Sequence, residues 1–196
     1  MDLQRFCVKF FARPSAEIDD ATFIEIFHDW IRQQRLPGVL IDVADYRHVP
    51  DGPGVLLITH EADIAMDHFE NRLGLLYQRK RGPNGLLHDR ILAAIQIALT
   101  ACVQLQREPR LTGDLTFSAE EFEFTANDRL LAPNNDATIA ALKTELETVA
   151  QRLYRTDAVH AGYVSQDPNE RVRLHVKASA PADIEAVLEN ARCRPH

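Results

Sequence analysis

Cysteine is scarce in this sequence, and its distribution argues against the sites that are usually built from it. The three cysteines, Cys7, Cys102 and Cys193, lie far apart, and none stands in a CxxC or Cys/His zinc-binding spacing. Cys7 falls in an apolar segment typical of a strand and Cys102 in an apolar segment typical of a helix. Because cysteine packs as a small hydrophobe, we expect both to be buried free thiols, as in proteins of a reducing compartment.

Basic residues are the minority charge. The chain carries 22 lysines and arginines against 29 acidic residues, which gives a net charge of -7. Nucleic acids are bound by basic surfaces, so this balance argues against nucleic-acid binding as the main role. The phenylalanines at positions 6, 10, 11, 122 and 124 are therefore interpreted as core residues and not as a base-stacking platform.

Long apolar runs are also missing. The longest uncharged apolar run, residues 91–105, contains Gln96 and Gln104 and is too short to span a bilayer. The N-terminal segment carries Asp2, Arg5 and Lys9, so it does not have the apolar centre of a secretion signal. These absences predict a soluble cytoplasmic protein that does not associate with membranes.

The sequence patterns of common nucleotide and nucleophile sites are absent. GxGxxG and Gly-Lys-Ser/Thr do not occur, and the DGPG at residues 51–54 is expected to form a turn between strands. None of the four serines lies in a GxSxG pattern. The sequence thus gives no support to dinucleotide-binding, P-loop or serine-hydrolase functions, and no organic cofactor is predicted.

What the chain does have is the composition and patterning of a globular domain. Its 196 residues are 45% apolar and 26% charged, which suits a core of ordinary size. Apolar runs and alternations predict strands over 3–12, 39–44, 55–59, 73–79, 115–117, 121–126, 130–131, 159–164 and 172–177. Apolar residues at helical spacing predict helices over about 20–35, 86–107, 137–154 and 181–191, with Asp136 as the cap of the third and Pro181 opening the fourth.

The order of these elements predicts the fold class. Hairpins outnumber βαβ units, and one of them is expected to turn at Asn127-Asp128. The sheet should therefore be mostly antiparallel, with the helices packed on one face, which is an α+β architecture. We expect a single α+β domain over residues 1–196, in which 82–85 or Pro109 would mark any sub-domain hinge.

The stretch 37–81 holds the candidate catalytic residues. Asp42 interrupts an apolar strand, where an acid must be partnered or must face solvent. His60 closes the next strand and titrates near neutral pH, which suits a general base. We therefore consider a hydrolase or isomerase in which Asp42 orients His60. That hypothesis predicts that both side chains lie on the same face of neighbouring strands.

The same strand ends supply candidate ligands for a divalent metal ion. Imidazole together with carboxylate suits such an ion, and His60, Glu61 and His68 are the candidate metal ligands. Their spacing is not that of HExxH, and His60 and His68 flank a presumed turn of undetermined shape. The sequence therefore allows a metal site at this rim without fixing its geometry, and solvated acids around a structural Asp42 are the alternative.

Other residues at the strand ends are candidates for binding a small molecule. Asp45 and Tyr46 follow the first of these strands, while Arg79 and Arg81 end the third. Loops and strand ends on a rigid sheet are where binding sites are commonly built. The two arginines would provide a small anion-binding patch at that rim.

The polar rim of the central strands supports two hypotheses of different kinds. In the first, the chain is a binding or accessory module, self-associated as a homodimer, that holds a small molecule or a protein partner at this rim. In the second, it is a metal- or histidine-dependent enzyme. Copurified metal that is lost in His60→Ala would favour the enzyme, whereas metal-free protein would favour the binding module.

Overall fold

The first strand of the chain lies at the centre of a single antiparallel sheet. A computed structural model describes residues 1–14, 17–49, 52–111, 113–180 and 182–193. Within these ranges there are nine strands and four α-helices. The strands are β1 (Phe6–Pro14), β2 (Leu40–Asp45), β3 (Val55–Thr59), β4 (Ala62–Asp67), β5 (Gly74–Arg79), β6 (Leu115–Phe117), β7 (Glu121–Ala126), β8 (Val159–Tyr163) and β9 (Arg173–Ala178). The helices are α1 (Ala21–Gln33), α2 (Leu87–Gln106), α3 (Asp136–Tyr154) and α4 (Ile184–Arg192).

The strand order is β2-β3-β4-β5-β1-β7-β9-β8, and β6 pairs with the end of β1. Every pair is antiparallel. The central strand β1 pairs with β5 on one side and with β7 on the other, so one sheet joins elements from both sides of 82–85 and Pro109. The predicted α+β class with a mostly antiparallel sheet is confirmed.

Alternation along the strands gives the sheet two different faces. In β1, Phe6, Val8 and Phe10 are fully buried, and α2 packs against both β1 and β5. At the two ends of the sheet, α1 packs on β2 and β3, and α3 packs on β8 and β9. The helices therefore cover one face, as the sequence predicts. We call the other side of the sheet the open face, because no described α-helix packs on it. It carries Cys7, Lys9 and Phe11 of β1, which are nevertheless buried.

Ion pairs, in place of helices, lie on the open face. Lys9 Nζ is 2.5 Å from Asp67 Oδ2, and both residues are more than nine-tenths buried. Arg173 of β9 pairs with Glu123 of β7 at 2.9 Å and with Glu70, in the connection between β4 and β5, at 2.6 Å. These contacts connect strands from both halves of the sheet on the side where no described helix packs.

Two predictions of strand structure are wrong. Residues 130–131 are a turn and not a strand: the Asp128 carboxylate accepts hydrogen bonds from the backbone amides of Leu130 and Leu131 at 3.1 and 3.2 Å. No hairpin therefore turns at Asn127-Asp128, and β7 instead pairs with β1 and β9. The second difference is β4: residues 62–67, expected to be polar rim residues between two strands, form a full strand.

Side-chain caps begin the helices α3 and α4. Asn135, one residue before the predicted cap, accepts a hydrogen bond from the Thr138 amide at 2.9 Å and caps α3. Asp183 caps α4, and the predicted start at Pro181 lies outside the described residues.

Cys7 and Cys102 are buried free thiols, as expected, and burial raises the pKa of Cys7 to about 12. Among the described helices, none is both long and apolar enough to cross a membrane.

Gly54 is expected to be required at the start of β3. Its φ is +69°, and a Cβ atom there would lie 2.4 Å from the Met66 carbonyl oxygen in β4. We expect Gly54→Ala to lower the free energy of unfolding by about 2–4 kcal/mol, since the left-handed conformation alone costs about 1–2 kcal/mol. Gly38→Ala is the control, because Gly38 has a φ of +94° with nothing within 4 Å of the added Cβ. Equal losses in urea unfolding would show that the clash with Met66 is unimportant.

Candidate functional site

The antiparallel strands divide the predicted site residues between two ends of the sheet. His60 and Glu61 form the turn between β3 and β4, at the same end as Arg79, which is paired with Ala62. Asp45 lies at the other end, paired with Val55. Because a strand rises about 3.3 Å per residue, the six residues of β4 separate the two ends by roughly 20 Å.

At the Asp45 end, the predicted ligand-binding residues Asp45 and Tyr46 contact residues that follow them closely in the chain. The two oxygens of Asp45 accept hydrogen bonds from Arg47 Nε and Nη2 at 2.9 and 2.8 Å. These bonds hold the pKa of Asp45 at about 2. Tyr46 stacks on His48, with 6.4 Å between ring centroids. Asp45 and Tyr46 thus contact Arg47 and His48, and Asp45 lies at the opposite end of the sheet from Arg79.

The candidate catalytic pair is not brought together by a direct contact. Asp42 lies in the edge strand β2 after a register shift, and its Oδ1 accepts a hydrogen bond from the Val43 amide at 2.8 Å. His60 is exposed in the turn, where its backbone amide donates to Val39 O at 2.9 Å. In the part of the chain that the structure describes, the two side chains share no hydrogen bond, so catalysis by His60 stays a prediction.

The candidate metal ligands are divided in the same way. His60 and Glu61 are neighbours in one turn, but His68 follows the far end of β4, where its Nε2 lies 3.1 Å from Asp20 Oδ1. His68 is thus beside the start of α1, and the structure does not bring it to His60 and Glu61. Across residues 1–14, 17–49, 52–111, 113–180 and 182–193, no group of three or more His, Cys, Asp or Glu side chains is placed to hold a metal ion.

The other two predicted binding residues line one cavity. The chain leaves β5 at Arg79, passes through the Gly-Pro-Asn-Gly breaker at 82–85 and enters α2 at Leu87. Because this segment cannot continue either strand or helix, it leaves a space of about 180 Å³ between β5 and α2. Arg79 and Arg81 both line this space, which we call the β5–α2 cavity, together with Arg90 of α2.

Arg79 is a buried cation with only uncharged partners. The residue is 5% exposed. Its Nη1 donates to the backbone and side-chain oxygens of Gln4 at 2.5 and 3.1 Å, and its Nη2 donates to Pro83 O at 3.1 Å. Burial, followed by the nearby charge of Arg90, lowers the pKa of Arg79 below its ordinary value. Arg79 forms no ion pair within the described residues, so its charge is not neutralised by a carboxylate in direct contact.

Arg90 is a second buried cation, and it is incompletely satisfied. The residue is 6% exposed, and its Nε is fully buried without a hydrogen-bond partner among the described residues. Its Nη1 donates to Asp2 Oδ1 at 2.9 Å, but the Asp2 side chain is 80% exposed. A buried donor that lacks a partner costs about 1–3 kcal/mol, and more when the group is charged. The burial of Arg90 is therefore only partly compensated.

The remaining polar groups of the β5–α2 cavity add a donor and no buried acid. Burial raises the pKa of Tyr77 to about 12, so its hydroxyl is protonated near neutral pH. Tyr77 lines the cavity. The acidic residues that also line it, Glu61 and Asp89, are exposed. The buried charged groups of the cavity are thus the cations Arg79 and Arg90, which complement an anion.

The sequence indicates two of the four residues of the β5–α2 cavity discussed above. Arg79 and Arg81 were predicted as an anion-binding patch, whereas Arg90 and Tyr77 were not. A signal for Arg90 was present, because it follows Leu87 by three residues and precedes Ala94 by four on the buried stripe of α2. An arginine on the apolar stripe of a helix is a buried charge that needs an explanation.

Chemically, the β5–α2 cavity can bind and orient a small anion. Arginine forks form charge-assisted hydrogen bonds to carboxylate and phosphate oxygens, and such bonds are strongest where water is excluded. Comparison of the chain with protein-family models, with curated proteins and with solved structures finds no match. The functional interpretation therefore depends on the geometry of this cavity.

Proposed function

We propose that this chain is a ligand-binding module that holds the anionic group of a small molecule in the β5–α2 cavity. One observation carries the proposal: two arginines that are 5% and 6% exposed line one small cavity, and neither has a buried carboxylate partner. Buried arginines are usually paired, because the desolvation of the charge is otherwise uncompensated.

The unfavourable arrangement of the two arginines is typical of a binding site. Arg79 and Arg90 lie close enough for the charge of Arg90 to lower the pKa of Arg79, so the two cations repel each other. An anion placed between them would relieve this repulsion. Residues that destabilise the free protein while serving a ligand are a recurrent feature of functional sites.

Replacing Arg90 by methionine is expected to abolish binding of small anions. Binding to the native state alone stabilises a protein by about 2.7 kcal/mol when the ligand is 100-fold above its Kd, which is a rise of roughly 5 °C or more in Tm for a chain of this size. We expect phosphate or benzoate to raise the Tm of the wild type relative to chloride at equal ionic strength. Arg90→Met should remove the response.

The control for this experiment is Arg107→Met. Arg107 follows α2, and its side chain is 66% exposed in an ion pair with Glu185, so its loss should leave the anion response intact. The proposal is wrong if no anion raises the Tm of the wild type, or if Arg90→Met responds as the wild type does.

The ligand-free stability of the same variant separates a binding role from a structural one. Methionine is apolar and of similar length, and replacing a buried ion pair by apolar residues is often neutral or stabilising by about 1–4 kcal/mol. The partner that Arg90→Met leaves behind, Asp2, is exposed and stays hydrated. We therefore expect ligand-free Arg90→Met to unfold in urea at the same or a higher denaturant concentration. A loss of about 3 kcal/mol or more would assign Arg90 a structural role.

The remaining sequence predictions stay part of the proposal. A cytoplasmic location is supported by the buried free thiols Cys7 and Cys102. Self-association is supported by the edge strands β2 and β8, whose outer backbone groups have no partner strand in the described sheet and can pair with another chain. A mass measurement by light scattering tests the predicted homodimer. The enzyme hypothesis rests on His60 and is tested by the metal content of the purified protein.

A further inference from the structure

We infer that the ligand of the β5–α2 cavity is a small organic carboxylate with an apolar part about as large as one aromatic ring. This inference rests on the proposed function and specifies the chemical class of its ligand. It is argued from the volume of the cavity, from the chemistry of its walls and from the number of hydrogen-bond donors that remain available.

The volume of the cavity suits a ligand about as large as one ring with a carboxylate. The β5–α2 cavity measures about 180 Å³. An engineered apolar cavity of about 150 Å³ in another protein accommodates benzene, so this space holds a single ring with a carboxylate. The volume is small for a nucleotide or a sugar phosphate.

The walls beside the arginines are apolar. Ala93, Ala94 and Ile97 of α2 line the cavity on one side, and Tyr77 of β5 lines it as well. The two alanines are the smallest apolar side chains, so they leave room beside the helix. An apolar ring packed here would be removed from water, which is favourable in proportion to its buried area.

A second, much smaller space lies beside the β5–α2 cavity. It measures about 10 Å³, shares Glu61, Tyr77 and Ile97 with the β5–α2 cavity, and is also lined by Val39 and Ile64. A volume of this size holds no more than about one water molecule. This space therefore adds no room for a long acyl chain.

The number of available donors favours a carboxylate over phosphate. Much of the Arg79 fork is already used by Gln4 and Pro83, and Nη1 of Arg90 is used by Asp2. A carboxylate has two oxygens to satisfy. A phosphate group would place further charged oxygens against Ala94 and Ile97, where burial without hydrogen bonds is costly.

Titration calorimetry with four probes tests the inference: sodium benzoate, sodium acetate, inorganic phosphate and benzyl alcohol. For the wild type we expect benzoate to bind at least 10-fold more tightly than acetate and more tightly than phosphate, with no measurable binding of the uncharged benzyl alcohol. Ala94→Leu, which fills the cavity, should weaken benzoate binding at least 10-fold. Ile97→Ala, at a half-buried position, should weaken benzoate binding while leaving acetate binding unchanged.

The outcomes separate this inference from the proposed function. If phosphate binds at least as tightly as benzoate and Arg90→Met loses it, the anion-binding function stands and the carboxylate inference is overturned. If no anion binds the wild type, both are overturned. If benzyl alcohol binds as tightly as benzoate, the cavity is an apolar pocket and both are again overturned. Should Ala94→Leu fail to fold, as judged by circular dichroism, Ile97→Ala decides the contribution of the apolar wall.

Discussion

Replacing Asp67 by alanine is expected to lower the free energy of unfolding by about 3–5 kcal/mol, because it leaves Lys9 as a buried, unpaired cation. Lys9 and Asp67 are 4% and 6% exposed, and their side chains meet at 2.5 Å on the open face. In such a pair the loss of one partner costs more than the pair itself contributes, since the remaining charge stays desolvated. Urea unfolding of the purified variant measures the loss.

The Lys9–Asp67 ion pair can form because residue 74, in the strand between them, is a glycine. Lys9 is in β1 and Asp67 in β4, and β5 lies between these two strands. Gly74 of β5 is paired with Asp67, and a Cβ atom at Gly74 would lie 2.7 Å from Lys9 Cε. The absence of a side chain at Gly74 therefore allows the lysine stem to cross β5 and reach the acid on the next strand.

Asp63→Ala is the matched control for Asp67→Ala. Asp63 also lies in β4 and pairs with Lys80 at 2.7 Å, but the Lys80 side chain is 29% exposed. Its loss should cost less than about 1 kcal/mol, because a half-exposed cation remains hydrated. The double variant Lys9→Met/Asp67→Leu should restore stability close to the wild type, since it removes both charges. A loss for Asp67→Ala no larger than that for Asp63→Ala would contradict the role of burial.

Phe10→Ala is expected to cost about 3–5 kcal/mol by creating a cavity under the helices. Phe10 is fully buried in the central strand β1, and its ring centroid is 5.7 Å from that of Phe122 in the neighbouring strand β7. The site cannot collapse easily, because strands on both sides hold β1 in place by hydrogen bonds. Thermal or urea unfolding gives the difference directly.

Phe69→Ala is the corresponding control on the protein surface. Phe69 is 47% exposed, and its ring contacts the Arg173 guanidinium with 5.0 Å from Cζ to the ring centroid. A cation–π contact at an exposed site contributes about 0.5–1 kcal/mol, so this variant should lose no more than that. Similar losses for the two phenylalanines would mean that Phe10 is not a principal core residue.

Strands and helices whose pattern is complete within a few neighbouring residues could be predicted from the sequence. Residues 55–58 are all apolar and follow a Gly-Pro-Gly stretch, Thr59 precedes two polar residues, and β3 has the predicted bounds. The strand β4 was missed although Ala62, Ile64 and Met66 alternate in it, because two aspartates occupy the positions between and beyond them. Acids are tolerated in this strand through Lys9 and Lys80, whose proximity is set by the sheet and not by the sequence.

The strand β4 also explains why the structure does not bring the candidate metal ligands His60, Glu61 and His68 together. If residues 61–67 formed a turn, His68 would lie near His60. Because β4 lies between them, the two histidines lie at different ends of the sheet. The β5–α2 cavity was predictable only in part for a similar reason. Arg79 ends a recognisable strand and Arg90 lies on a recognisable helix, but the packing of α2 against β5 brings them to one cavity.

The central position of the first strand has a consequence for how the chain folds during synthesis. Phe6 of β1 is paired with Arg79 on one side and with Ala126 on the other, so both partner strands are translated long after β1. Contacts between residues so far apart in sequence are slow to form, and translation proceeds at only about 5–20 residues per second. Until β5 and α2 leave the ribosome, Phe6, Val8 and Phe10 have no native surface to pack against, and the nascent chain is most prone to aggregate in this interval.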